Sequence, residues 1–137
     1  MPRGKSPRNF ALDLRRFGET SERQAETIVK KIALDLDTAI VLSTPVDTGR
    51  ARGNWYPSLG TPSTSVDLGI SDRSGNTSIG RIAGASRGVK IGAVLWFTNN
   101  LPYILRLENG YSAQAPAGMV DMNLNAIAQQ FGGVVQR

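Results

Sequence analysis

Residues 21–45, "SERQAETIVKKIALDLDTAIVLSTP", decide how the chain is read. Ala25, Ile28, Ile32, Leu36 and Ile40 recur at helical spacing, and Val29, Ala33 and Leu42 widen the same apolar face. Ser21 followed by Gln24 matches a capping box at the start. Glu26 and Lys30 form a favourable pair one turn apart on the polar side. Pro45 ends the pattern, because the residue before a proline is pushed out of helical geometry. These signals predict a helix of about 23 residues, roughly 35 Å long. Asp35 and Asp37 are assigned to its solvent side. Two residues apart on a helix they do not face each other, so they form no acid–base couple.

Working outward, "NFALDLRRFGE" (9–19) reads as a separate short turn of helix broken at Gly18. After the long helix, "TPVDTGRARGNWYPSLG" (44–60) supplies turn formers at Asp47, Thr48 and Gly49, and an extended run beginning at Trp55 and Tyr56. "STSVDLGI" (63–70) alternates like a second strand, and "VKIGAVLWFTN" (89–99) is apolar enough for a central one. Between these two lies "SDRSGNTSIGRIAGASRG" (71–88), 18 residues dense in Gly and Ser. It is read as the long loop of a β-hairpin arm, since such a stretch inside a compact domain is uncommon unless functional. Its glycines are not followed by the Gly-Lys-Ser/Thr of a phosphate-binding loop.

In "NNLPYILRLENG" (99–110), Pro102 suits the first turn of a short helix and Asn109-Gly110 its end. Pro116 is placed at the opening of a last helix, whose face is Val120, Leu124, Ile127 and Phe131 and which closes at Gly132-Gly133. Met119 and Met122 are expected to fill the core near its start. The fold class expected is α+β: a long N-terminal helix and a C-terminal helix packed on one face of a small antiparallel sheet with a long hairpin loop. Residues 1–18 are drawn as a basic flexible arm and 19–137 as a single domain.

Composition narrows the chemistry. The chain has neither Cys nor His. That removes Cys nucleophiles, Ser–His pairs, imidazole acid–base work and Cys/His zinc sites, and it fits a reducing cytoplasm. No catalytic cluster of carboxylates, Lys, Tyr and Ser is visible, so neither an enzyme nor a metal or cofactor is expected. No apolar run approaches the roughly 18 to 20 residues that cross a bilayer, and the start lacks the apolar stretch of a secretory signal. Of the net charge of +5, residues 1–18 carry +4. Arg3, Lys5 and Arg8 are therefore candidates for contact with DNA phosphate or an acidic protein. With no aromatic interleaved, any nucleic-acid contact there would be sequence-blind.

Glu108 is an acid at a helix C-terminus, where the dipole favours cations. Something must compensate it, and Arg50, Arg52 and Arg106 are the sequence-stretch candidates, through a charge-assisted contact within or between subunits.

Two segments carry a resemblance. Pro45, Asp47, Thr48, Gly49, Arg52 and Trp55 fit a Thr-Pro-x-Asp-Thr-Gly-x-x-Arg-x-x-Trp pattern. Pro102, Tyr103, Glu108, Gly110, Ser112, Gln114, Ala115, Pro116 and Gly118 fit a second pattern, Pro-Tyr-x-x-x-x-Glu-x-Gly-x-Ser-x-Gln-Ala-Pro-x-Gly. Together they resemble the tail-completion or head–tail joining family of long-tailed bacteriophages, over about residues 20 to 135. Tyr111 stands where a Thr is also common in that family.

The resemblance implies a structural virion protein made in the host cytoplasm and located at the phage neck, with no membrane contact. It implies a homo-oligomeric ring, of six copies, around the DNA channel where the tail tube meets the head connector. Its partners would be itself, connector or stopper proteins, the tail tube or terminator protein, and genome DNA held nonspecifically. Asp47, Arg50, Arg52, Trp55, Tyr103, Glu108, Tyr111, Gln114 and Pro116 would then form a structural corner or subunit interface. The loop 71–88 would dock on a neighbouring subunit, with Ile79 and Ile82 as anchors and Arg73, Arg81 and Arg87 presented to an acidic surface or the channel. A tail terminator, a connector stopper and a sequence-nonspecific nucleic-acid-binding module are the alternatives.

Overall fold

The computed structural model describes residues 9–13, 22–90, 92–131 and 135–136. Helices α1 (Glu22–Ser43), α2 (Asn76–Ser86), α3 (Ile104–Glu108) and α4 (Val120–Phe131) accompany strands β1 (Asn9–Asp13), β2 (Tyr56–Leu59), β3 (Val94–Thr98) and β4 (Val135–Gln136). The class is α+β, with one antiparallel sheet in the order β2-β3-β1-β4. The strand expected to be central is central: β3 pairs with β2 on one side and β1 on the other, with Phe97 opposite both Pro57 and Phe10.

α1 is the long helix its periodicity predicts, and it packs against both α2 and α4. Its buried arc is Ala25, Val29, Ile32, Ala33, Leu36, Asp37, Ile40 and Val41, whereas Ile28 and Leu42 are exposed. The arc is rotated from the expected face because α2 covers the Val41 flank, where Val41 Cγ1 lies against Gly75. Asp35 does face solvent, 2.9 Å from Lys31 Nζ. Asp37, assigned to the same side, is 2% exposed, because it falls on the rotated arc. Ser21 lies outside the described residues.

Three expectations about architecture are corrected. Residues 63–70 are not a strand. They belong to an exposed irregular segment pinned by side chains, with Asn100 Nδ2 donating to the Ser63 and Ser65 carbonyls at 2.9 and 3.1 Å. Residues 71–88 are not a hairpin loop, because they contain α2, so β2 and β3 are joined through a helix. Asn9–Asp13, drawn partly as flexible arm and partly as helix, is β1. A single helical turn is unstable alone, whereas β3 offers this segment a backbone ladder over five residue pairs. Residues 1–8 and 14–21, and with them Arg3, Lys5 and Arg8, lie outside the described residues, as do 132–134.

α2 forms despite poor propensity. Gly80 and Gly84 each cost about 1 kcal/mol relative to Ala inside a helix. Tertiary contacts offset this: Ile82 is buried in the common core and Ile79 packs against it. The chain enters the helix through Gly75 at φ +82, and the buried Asp72 carboxylate accepts the Ser78 N–H at 3.2 Å, satisfying a first-turn donor.

α3 ends as expected at Asn109 and Gly110. The last helix, however, begins at Val120, and Pro116 sits in the turn before it. Val120, Leu124 and Ile127 are buried as its periodicity predicts. Met119 fills the core, but Met122 is exposed, one helical step off the apolar face.

Candidate functional site

The end of α1 and the turn after it are built around Thr44. Its Oγ1 donates back to the Ile40 carbonyl at 2.7 Å and accepts the Trp55 Nε1–H at 2.9 Å. Trp55 is fully buried and stacks on Phe97, centroids 5.0 Å apart at 17°. Arg52 spreads its donors over three carbonyls: Nε to Thr44 at 3.1 Å, Nη2 to Leu42 at 2.9 Å and Nη1 to Arg73 at 2.8 Å. The first two lie at the α1 terminus, whose unsatisfied carbonyls and negative dipole end favour a cation. Gly49, at φ +92, lets the Asp72 N–H reach its carbonyl at 3.1 Å. A Cβ there would sit 2.6 Å from the backbone nitrogens of Asp72 and Arg73.

The second segment is built around Glu108, which is 8% exposed. Its Oε1 accepts the Met119 and Val120 N–H groups, both at 2.8 Å, and Oε2 accepts Asp121 N–H at 3.1 Å. The expected partner, Arg50, Arg52 or Arg106, is therefore wrong. The compensation is the N-terminus of α4, whose free N–H groups and positive dipole end bind a carboxylate well. Gly118, at φ +80, makes room for this: a Cβ there would run into the Glu108 carbonyl oxygen and carboxylate. Gly110, at φ +88, allows a similarly close approach to the Pro116 carbonyl.

Gln114 joins the two segments. Its Oε1 accepts Val46 N–H at 2.9 Å and its Nε2 donates to Val46 C=O at 3.0 Å, so the side-chain amide pairs with both backbone groups of one residue as a strand neighbour would. Between the segments lies a groove of about 450 Å³ with Pro45, Val46, Arg50, Tyr103, Leu107 and Tyr111 in its walls. Asp47 also lines it. Burial raises the Tyr103 hydroxyl pKa above its ordinary value, opposed by the Arg50 charge and reinforced by that of Asp47. Tyr111 is largely exposed at the rim, with the Arg106 guanidinium 5.2 Å from its ring centroid.

Of the residues expected at the corner, Asp47, Arg50, Tyr103, Tyr111 and Gln114 line the groove together, whereas Arg52, Trp55, Glu108 and Pro116 lie outside its walls. The residues assigned to a docking loop separate into two groups. Arg73 and Arg87 are exposed. Arg81 instead turns inward, its Nη1 donating to the Gly53 and Trp55 carbonyls at 2.8 and 3.0 Å while its guanidinium lies 4.0 Å from the Tyr56 ring centroid. Ile82 is buried in the chain's own core and the partly buried Ile79 packs against it, so the two side chains are used inside the fold and are not displayed as anchors. A helix brings these residues home because Ile79, Ile82 and Ser78 fall on one face, a spacing the glycines obscured.

Thr44, Asn54 and Asp72 were missed. Asn54 clamps two segments, donating from Nδ2 to the Arg50 and Asp67 carbonyls at 2.8 Å each and accepting Asp67 N–H at 2.7 Å. Only its place between the turn formers and Trp55 hinted at this. Among the described residues no group of three or more acidic side chains is arranged to hold a metal ion. The polar side chains of the corner are mostly engaged with backbone, an arrangement that holds shape. No protein-family model matches the chain, and no curated protein or solved structure matches it.

Proposed function

We propose that the chain is a structural subunit of the neck of a long-tailed bacteriophage, completing the tail and joining it to the head as part of a ring around the DNA channel. One observation carries this reading. Four of the residues that fit the two tail-completion patterns fasten the chain in and around the groove: Arg52 on the α1 carbonyls, Trp55 on Thr44, Gln114 on Val46 and Glu108 on the α4 amides. A set of side chains engaged mostly with backbone suits a subunit whose task is to present fixed surfaces to its neighbours. The partners in this reading are further copies of the chain, connector or stopper proteins above, the tail tube or terminator below, and DNA passing through without sequence recognition.

Electron cryomicroscopy and mass spectrometry of phage particles made from a genome encoding the chain provide the test. The expected result is several copies per particle, arranged as a ring at the head–tail junction. Absence from particles, or one copy per neck, would overturn the proposal. A ring located at the tail end proper, or directly beneath the portal, would instead make the chain a terminator or a stopper.

A further inference from the structure

Two arginines near the corner donate to carbonyls of their own chain: Arg52 from all three guanidinium nitrogens, and Arg81 from Nη1. Arg50 does not. Its Nε is buried without a hydrogen-bond partner, and no ion pair reaches its guanidinium among the described residues. One N–H of this half-buried side chain is thus withdrawn from water without a partner, a cost that a ligand in the groove would relieve. The ligand chemistry follows from the surroundings: a carboxylate for the guanidinium, flanked by apolar side chains for Val46, Leu107 and Tyr111.

The chain itself displays such a group. Val66 and Leu68 are 46% and 59% exposed on either side of the exposed Asp67. The tip is held in place although its side chains pack on little. Both the N–H and C=O of Asp67 are bound by Asn54, and Asp67 Oδ1 accepts Gly69 N–H at 2.9 Å. A rigid tip loses little entropy on docking. Within one copy Asp67 and Arg50 form no ion pair, although Asn54 bonds the backbone of both.

We infer that the groove beside Arg50 receives the Val66-Asp67-Leu68 tip of a second copy of this chain. The Asp67 carboxylate accepts from the Arg50 guanidinium, and Val66 and Leu68 cover the apolar walls. Each copy carries both halves, so the contact propagates from copy to copy and makes a ring where the rotation closes. A tip this small buries far less than the roughly 1,200 Å² of a standard stable interface. The contact is therefore weak between free subunits and becomes effective when they are held side by side. The inference rests on the ring reading above and names the subunit contact within it.

The absence of cysteine allows a direct test with purified protein. Tyr111→Cys and Leu68→Cys are made separately, one carrying a size tag, mixed at high concentration and oxidised mildly. The expected product is the mixed disulfide, in clear excess over the two symmetric ones. In sedimentation experiments Arg50→Asp and Asp67→Arg each weaken self-association roughly tenfold, as expected for the loss of one close charge pair. Mixing these two variants restores it, since in either direction a contact between unlike copies pairs an acid with an arginine. A statistical mixture of disulfides, or self-association indifferent to both charge reversals, would assign the groove to some other protein and overturn the inference. These measurements use the purified chain, so the contact can fail while the neck location stands. Equally, particles lacking the chain would refute the location without touching the contact.

Discussion

Glu108 shows what one side chain does at this corner: a single carboxylate satisfies three backbone donors at the start of α4. Glu108→Gln keeps one acceptor oxygen but turns an amide donor toward N–H groups, so a loss of about 1 to 3 kcal/mol is expected in chemical denaturation. An unchanged midpoint would show that the capping contributes nothing. Asp37 acts in the opposite sense. Burial holds its carboxyl well above the usual carboxylate range, and its Oδ2 has no partner. The folded state therefore keeps a proton on Asp37 at pH values where the unfolded chain has released it. Its contribution to stability is complete below the ordinary carboxylate pKa and is lost as pH rises through the raised one. Asp37→Asn should be more stable than the parent at neutral pH, with the difference shrinking as pH falls through that window. A constant offset between the two melting curves at all pH values would contradict this. The need to compensate Glu108 was legible in the sequence. Its partner was not, because the donors come from a helix that begins 12 residues later and is brought back by the turn at Gly110.

At the scale of elements, α2 is the informative case, a glycine-containing helix held by its surroundings. Gly80 and Gly84 have open space where a Cβ would go. Gly80→Ala and Gly84→Ala should each add about 0.5 to 1 kcal/mol, since they raise helix propensity and meet no atom. Gly75→Ala should do the reverse, because φ is +82 and its Cβ would lie 2.6 Å from Val41 Cγ1. Ile82→Ala should cost about 2 to 5 kcal/mol by opening a cavity between α2 and the core. Removing residues 75–86 altogether should abolish cooperative unfolding, where a mere loop would have been dispensable. A deletion variant that melts like the parent would return this segment to the status of a loop.

For the whole molecule, α1 joins the parts, covered by α2 on one flank and α4 on another, with β3 serving as the middle of the sheet. Hydrogen exchange should follow that order. The buried turns of α1 and the β3 amides should exchange slowest, and residues 61–70 fastest except at Ser65, Asp67 and Gly69, whose N–H groups are bound by the Ser63, Asn54 and Asp67 side chains. Fast exchange throughout α1 would contradict its place at the centre. The sequence by itself determined α1, the central place of β3, the end of α3 and the apolar face of α4, because each rests on periodicity or turn chemistry within a few residues. Only the tertiary structure decided that 9–13 is a strand, that 76–86 is a helix, that Asp37 is buried and that Glu108 caps α4. In each case the local preference is weak or points the other way. The outcome follows from what a distant segment supplies: a strand edge, an apolar pocket, a covering helix or a row of free N–H groups.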